Sequence, residues 1–308
     1  MQSKVVILGT GGTIAGTAAN AVDTVGYSSA QLGVAQLVAA LPPLAGVPIE
    51  CEQVAQIDSK DMDFATWQRL ARRAADHLAR AEVPGVVVTH GTDTLEETAY
   101  FLHRVLAPTK PLVLTAAMRP ATSVQADGPQ NLLDAVTVAR DAAAQGVLVV
   151  IAGRVWAGAE LRKVHSYRLD AFDAGDAGPL AVIEAGRLRW WRTAPEGQAV
   201  GLKRIERDVV RWPRVEIVLN HVGASGSWVD ALVAQGVQGL VVAGTGNGTL
   251  HRDLEAALLR AQTQGVRVLR ASRCAAGPVI GDGLLPSAGA LSAVQARIEL
   301  VLQLLGAT

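Results

Sequence analysis

The sequence is poor in most features that would point to a charged partner or a cofactor. Lys plus Arg and Asp plus Glu number 28 each, so the formal net charge is zero. No surplus positive field is left to hold nucleic acid or an anionic membrane. The two cysteines, Cys51 and Cys274, lie far apart and form neither a CxxC nor a metal-ligand spacing. They read as two reduced apolar residues, so no metal site is expected. No apolar run reaches the ~20 residues that span a bilayer. Lys4 is followed at once by a short apolar strand ending in glycine, which does not read as an export signal. A cytoplasmic protein is expected. Aromatic residues make up 4% of the chain, and six of them are Trp. Lysine is scarce too: of the 28 cations only five are Lys, at 4, 60, 110, 163 and 203.

What is present is a packed globular pattern. Half of the 308 residues are hydrophobic and 18% are charged, a length and composition that suit two folded domains. Short apolar runs predict strands at Lys4–Leu8, Gly85–Thr89, Leu112–Thr115, Val147–Ala152, Val215–Leu219, Gly239–Ala243 and Val266–Leu269. Helical periodicity predicts helices over Phe64–Arg80, Thr94–Leu106, Gln130–Gln145, Arg252–Gln264 and Leu291–Leu305. The alternation implies an α/β fold with a mostly parallel sheet flanked by helices. The charged, Pro- and Gly-containing stretch between Ile183 and Pro213 breaks the pattern, with an edge hairpin near Ile183–Arg192. The expected organisation is a larger N-terminal α/β domain (1–190) carrying the reactive residues, a linker (191–212), and a smaller C-terminal α/β domain (213–308).

The stretch GTGGTIAG, Gly9 to Gly16, follows the first strand. It is not a dinucleotide fingerprint, because Ile14 stands where the third glycine is needed, nor a P-loop, because no lysine is near. A tight turn at the carboxyl end of a strand remains, the place where open α/β sheets bind ligands. Either Thr13 is exposed there for chemistry or it caps the segment after it. The stretch VVVTHGTDTLEETAYF, Val86 to Phe101, repeats the arrangement. Asp93 with Glu96, and Thr94 with Glu97, have capping-box spacing, and one pair can cap the helix. If the two strands are neighbours, Thr13, Thr92 and Asp93 converge.

A threonine hydroxyl needs an adjacent base to act as a nucleophile. His90 ends a buried strand and reads as a packed core residue. A lysine in a chain that uses Arg by default is another candidate, because an amine sheds its proton when desolvated and a guanidinium does not. Lys163, beside Arg162, is such a lysine.

GTGGTIAG at 9–16 and THGTDTLEETAYF at 89–101 resemble the two signature segments of bacterial-type L-asparaginases. IDSKDM at 57–62, AAMRPATSVQADGPQN at 116–131 and VAGTGNGTL at 242–250 match in order as well. The resemblance implies hydrolysis of the side-chain amide of L-asparagine to aspartate and ammonia, through an acyl-enzyme on a threonine, with no metal or cofactor. Thr13 resembles the attacking threonine, and Tyr27 the lid tyrosine that hydrogen-bonds it. Thr92 and Lys163 resemble the pair that assists proton transfer, Asp93 the carboxylate that grips the α-ammonium, and Ser59 the hydroxyl that holds the α-carboxylate. Gly12, Asp58, Gly91 and Ala117 complete the implied substrate contacts. The family is usually a homotetramer of close dimers, and Asn247 resembles an asparagine that reaches the adjacent subunit's site. The polar segment Thr17–Gly33 suits the lid.

The match departs in two places. Lys60 stands where many relatives carry glutamine; it either attracts the α-carboxylate or points to solvent. The region that in some relatives supplies an acidic residue to the neighbouring site is shorter here and offers only Asp282. Competing readings are a broader glutaminase–asparaginase, an amidase component of a tRNA-dependent amidotransferase, which usually carries an extra N-terminal domain, and a non-catalytic amino-acid sensor on the same scaffold.

Overall fold

The computed structural model describes residues 3–307. The chain forms two units, one up to Leu202 and one from Lys203. In the first, the elements run β1 (Val5–Gly11), β2 (Thr17–Ala18), β3 (Tyr27–Ser28), α1 (Val34–Ala39), β4 (Ile49–Ile57), α2 (Phe64–Leu78), β5 (Val86–Thr89), α3 (Leu95–Leu106) and β6 (Leu112–Thr115). They continue with α4 (Gly128–Ala139), β7 (Val147–Ile151), β8 (Arg154–Ala157), β9 (Arg162–Lys163), β10 (Phe172–Asp173), β11 (Ala181–Glu184) and β12 (Arg187–Trp190).

Eight strands form one sheet in the order β12-β11-β8-β7-β6-β5-β1-β4. The five from β7 to β4 are parallel, and β8, β11 and β12 add an antiparallel edge. Alternate residues of each strand face opposite sides. Val5, Ile7, Val87, Val113 and Leu148 share one core with Val34 and Leu37 of α1 and Leu132, Ala135 and Val136 of α4. Val6, Leu8, Val88 and Leu114 face the other way, the side of α2 and α3. There Trp67 stacks on Phe101 with ring centroids 4.7 Å apart. Each large apolar side chain so buried contributes about 1.5–3 kcal/mol.

The register brings the strand ends level. Ile7 pairs with Val87, Leu8 with Val88 and Gly9 with Thr89, while Thr89 pairs with Thr115. The turns after β1, β5 and β6 therefore leave the sheet side by side at its carboxyl end.

The structure corrects several expectations. α4 ends at Ala139 instead of continuing to Gln145, because Asp141 accepts the Ala143 N–H at 2.9 Å and turns the chain. α1, β4 and β8 are additions that the sequence pattern does not predict. The hairpin expected near Ile183–Arg192 is present as β11 and β12, the outer edge of the sheet.

The second unit carries β13 (Val215–Leu219), α5 (Ser227–Ala234), β14 (Gly239–Gly244), α6 (Arg252–Thr263), β15 (Arg267–Ser272) and α7 (Ala293–Gly306). Its three strands are parallel, in the order β13-β14-β15. Val218, Leu240, Val242 and Val268 form a core with Val229 of α5 and Leu254 and Leu258 of α6. α7 begins with a capping box in which Ser292 accepts the Gln295 N–H.

Candidate active site

The glycines after β1 serve a backbone need. Gly11 and Gly12 have φ of 102° and 81°, conformations that L side chains rarely adopt. They bring the Gly12 N–H onto the Ile57 carbonyl at 2.9 Å. Only one turn of 3-10 helix comes next, Thr13–Ala15, and Thr13 caps nothing. Its hydroxyl, almost fully buried, instead shares a 2.8 Å hydrogen bond with the Tyr27 hydroxyl. Tyr27 is brought there by the small hairpin of β2 and β3.

The second turn, His90 to Thr94, leads into α3. Thr94 holds the N-cap position but makes no side-chain cap. Its hydroxyl donates to the Ser59 carbonyl at 2.8 Å, and neither expected capping box forms. His90 is wholly buried; Nδ1 lies 2.7 Å from the Gly91 carbonyl and Nε2 3.0 Å from the Thr98 hydroxyl. Burial lowers its pKa to about 4, so the ring is neutral and committed to the core.

The two turns touch. A Cβ on Gly12 would lie 2.3 Å from Gly91 Cα, and one on Gly91 would lie 2.4 Å from Ser59 Oγ. Only glycine permits that approach. It joins the turns that carry Thr13 and Thr92, each threonine under a tenth exposed. Ser59 begins a short 3-10 turn after β4 and accepts the Asp93 N–H at 3.2 Å.

Lys163 enters from β9, which pairs with β10. Its Nζ donates to Thr92 Oγ1 at 3.0 Å and to Asp93 Oδ1 at 2.7 Å. Because Thr92 accepts from an ammonium, its own hydroxyl hydrogen is free to donate elsewhere. Glu96, in the first turn of α3, accepts the Lys163 backbone N–H. Burial pushes its carboxyl up to about 7, against the downward pull of that hydrogen bond. Lys163 is thus tied to the α3 start at its backbone and at its amine. Sequence spacing gives Glu96 only a capping role; the N–H it accepts lies 67 positions away, where local spacing carries no signal.

The other expected residues divide. Asp58 caps the turn at Ser59 and pairs with Lys60 at 2.9 Å. Burial raises the Asp58 pKa, but hydrogen bonds from Lys60 and Ser29 outweigh it and hold the carboxyl below its usual range. Lys60 itself is mostly exposed and lies against Asp58 and Asp61. Ala117 is buried at the carboxyl end of β6, with its methyl in the core, so only its backbone can face a ligand. Asn247 belongs to the second unit, where its amide donates to the Ile280 carbonyl and accepts the Ile280 N–H, both at 2.7 Å. The turn's positive φ falls on Gly246 and Gly248, not on Asn247. Asp282 is exposed in the same unit. Among the described residues no group of three or more His, Cys, Asp or Glu could hold a metal ion.

Chemically, the joined turns and their neighbours offer a hydroxyl paired with a phenol, a second hydroxyl backed by an ammonium, a carboxylate, and a serine bonded to the Asp93 N–H. That set can hold a zwitterion and act on a carbonyl group. Comparisons with known proteins bear on the family of the chain. Residues 4–196 match the family model "Asparaginase, N-terminal", and residues 214–307 match "Glutaminase/Asparaginase C-terminal domain". L-asparaginase 2 of Escherichia coli (strain K12) is 37% identical over 311 residues, spanning 98% of this chain and 88% of that one. The glutaminase-asparaginase of Pseudomonas fluorescens biotype A is 37% identical over 278 residues, 89% of this chain and 76% of that one. The crystal structure of a probable cytoplasmic L-asparaginase from Campylobacter jejuni superposes with a TM-score of 0.92 at 36% identity, covering 98% of this chain and 95% of that one.

Proposed function

The chain belongs to the asparaginase family, and from that premise we propose that it hydrolyses the side-chain amide of L-asparagine to L-aspartate and ammonia. It is an amide-cleaving hydrolase. What supports the finer reading is one observation: the glycine-to-glycine contact of the two turns, with Thr13 and Tyr27 on one side and Thr92, Lys163 and Asp93 on the other.

The proposed sequence of events starts with the zwitterionic substrate. Asp93 takes its α-ammonium, while Ser59 and turn N–H groups take its α-carboxylate. Thr13 Oγ1 attacks the amide carbon, forming a C–O bond and an oxyanion. Turn N–H groups and the Thr92 hydroxyl stabilise that charge, each such donor lowering the barrier by roughly 3 kcal/mol. The C–N bond breaks and the nitrogen leaves as ammonia with the proton that Thr13 lost. Water then cuts the aspartyl ester, and the Thr13 oxygen regains a proton. Tyr27 faces Thr13 and Lys163 faces Thr92, so each threonine has its own partner for proton movement.

All of these residues precede Leu202. We therefore assign catalysis to the N-terminal domain (1–190), and treat 191–212 as a linker to the domain at 213–308. A homotetramer of close dimers and a cytoplasmic location complete the reading, the latter supported by the Campylobacter jejuni neighbour's description. A second reading, a broader glutaminase–asparaginase, is favoured by the equal identity to a relative of that name. Ammonia release from L-asparagine and L-glutamine at matched concentrations tests both. A strong preference for asparagine is expected, equal rates would favour the second reading, and release from neither would overturn the function.

A further inference from the structure

The tip of the segment that carries Tyr27 is held to the strand segment that carries Lys163 through one side chain. Thr24 Oγ1 and the Tyr167 hydroxyl share a 2.6 Å hydrogen bond, although 143 positions separate them. Among the described residues, no other side-chain hydrogen bond joins the tip, 19–26, to a residue outside 17–33. The other side-chain bonds of the tip are local, such as Asp23 accepting the Val25 and Gly26 N–H groups. The base of the segment is docked separately, by Ala18 N–H on Thr122 Oγ1 at 2.8 Å, and one backbone bond, Val124 N–H on the Ala21 carbonyl at 3.0 Å, ties the near side of the tip.

Tyr167 is itself fixed from below. The Arg119 guanidinium lies 4.0 Å from the centroid of the Tyr167 ring, and its Nη1 donates to the Tyr167 carbonyl at 2.9 Å. Arg119 is almost fully buried. Its backbone N–H is held at 2.9 Å by the carboxylate of Asp127, the residue that precedes α4. A stacked, desolvated cation of this kind holds an aromatic ring in one orientation. A chain of contacts thus runs from α4 through Asp127, Arg119, Tyr167 and Thr24 to the hairpin that sets Tyr27 against Thr13. Lys163 lies only four residues before Tyr167.

We propose that Tyr167 is a positioning residue: its hydroxyl, seated on Arg119, latches Thr24 and keeps the Tyr27-bearing segment folded over Thr13 before substrate arrives. This deepens the asparaginase reading and rests on it for its kinetic consequence. Ordering a loop in advance lowers the free energy spent on ordering it at binding. The latch therefore acts on substrate affinity and leaves the chemical step alone.

Tyr167→Phe keeps the ring on Arg119 and removes only the hydroxyl; Thr24→Val removes its partner. Each is expected to raise KM for L-asparagine about fivefold, the factor carried by one net hydrogen bond, with kcat essentially unchanged. Hydrogen exchange of the amides of 17–28 in the empty protein is expected to quicken about fivefold in each, by the same free energy. The double variant should be no worse than either single one, because both remove the same bond, and Thr24→Ser should behave as the native protein. Native KM and native exchange in Tyr167→Phe would overturn the latch, as would additive single effects. A fall in kcat at native KM would also overturn it, because Tyr167 would then act on the chemical step and not on the order of the segment. If the native protein released no ammonia at all, the function would fall, while the exchange comparison would still decide the latch.

Discussion

Replacing Glu96 by glutamine tests whether the carboxyl beneath Lys163 is as strained as its surroundings imply. Burial takes this group from an ordinary value of 4.5 up to about 7. Glu97 repels it, and Arg162, Lys163 and the Lys163 N–H draw it back down. In the unfolded chain Glu96 loses its proton near 4.5; in the native protein it loses it only near 7. The native state is therefore penalised progressively as pH rises from about 4.5 to about 7, and fully above that. The gap corresponds to roughly 3 kcal/mol at most. Glutamine keeps an oxygen to accept the Lys163 N–H and has no charge to bury. Glu96→Gln should match the native protein below about pH 4.5 and exceed it by up to roughly 3 kcal/mol near pH 8. For a unit of about 200 residues that is roughly 6–12 °C in melting temperature. Melting both proteins by circular dichroism across this range reads it. A difference that does not change with pH, or a variant less stable than native near pH 8, would refute the reasoning.

The same geometry sets other outcomes. Thr92→Val keeps the shape but removes a donor, and should cost roughly 10²–10³ in kcat with little change in KM, measured by steady-state ammonia release. Asp93→Asn removes the anion assigned to the α-ammonium and should raise KM by roughly 10- to 100-fold, as expected for a charge-assisted hydrogen bond. Gly12→Ala places a methyl 2.3 Å from Gly91 Cα in a backbone with φ of 81°. Urea unfolding should show a loss of about 3 kcal/mol or more, with activity lost as the turns part.

Much of the fold is legible in the sequence because the relevant signals are local. Buried parallel strands read as continuous apolar runs, and the glycine turns stand directly after them, so β1, β5, β6 and their turns are visible. β4 is not. Its sequence, IECEQVAQI, places Glu50 and Glu52 within the strand, and both carboxylates are matched by α2 or by the residues just after it. Arg80 pairs with Glu50 at 2.9 Å and Arg73 with Glu52 at 2.6 Å, while His77 lies 2.7 Å from Glu52. These hydrogen bonds hold both carboxyls down at about 2. The partners of these charges come from α2, the residues just after it and Lys4, which no local pattern reports.

The site divides along the same line. Thr13 and Thr92 can be named from turn position alone, whereas Glu96 shows a capping spacing that the fold does not use. Tyr167 and Arg119 carry no signal, since their roles depend on a stacking contact across 48 positions. The resemblance gives Asn247 a role toward an adjacent subunit; within its own turn the amide is engaged by Ile280 and the flanking glycines take the positive φ, a local arrangement that no sequence pattern reports.

Thr13 as the attacking group is the centre of the proposed mechanism, and turnover by Thr13→Ala puts it to the proof. With folding verified by circular dichroism and ammonia release measured at saturating L-asparagine, the variant should lose several orders of magnitude, at least about 10⁴-fold, as when the nucleophile of a catalytic unit is removed. A folded Thr13→Ala protein that keeps turnover within about tenfold of native would contradict the mechanism, since the acyl-enzyme would then have to form on another group.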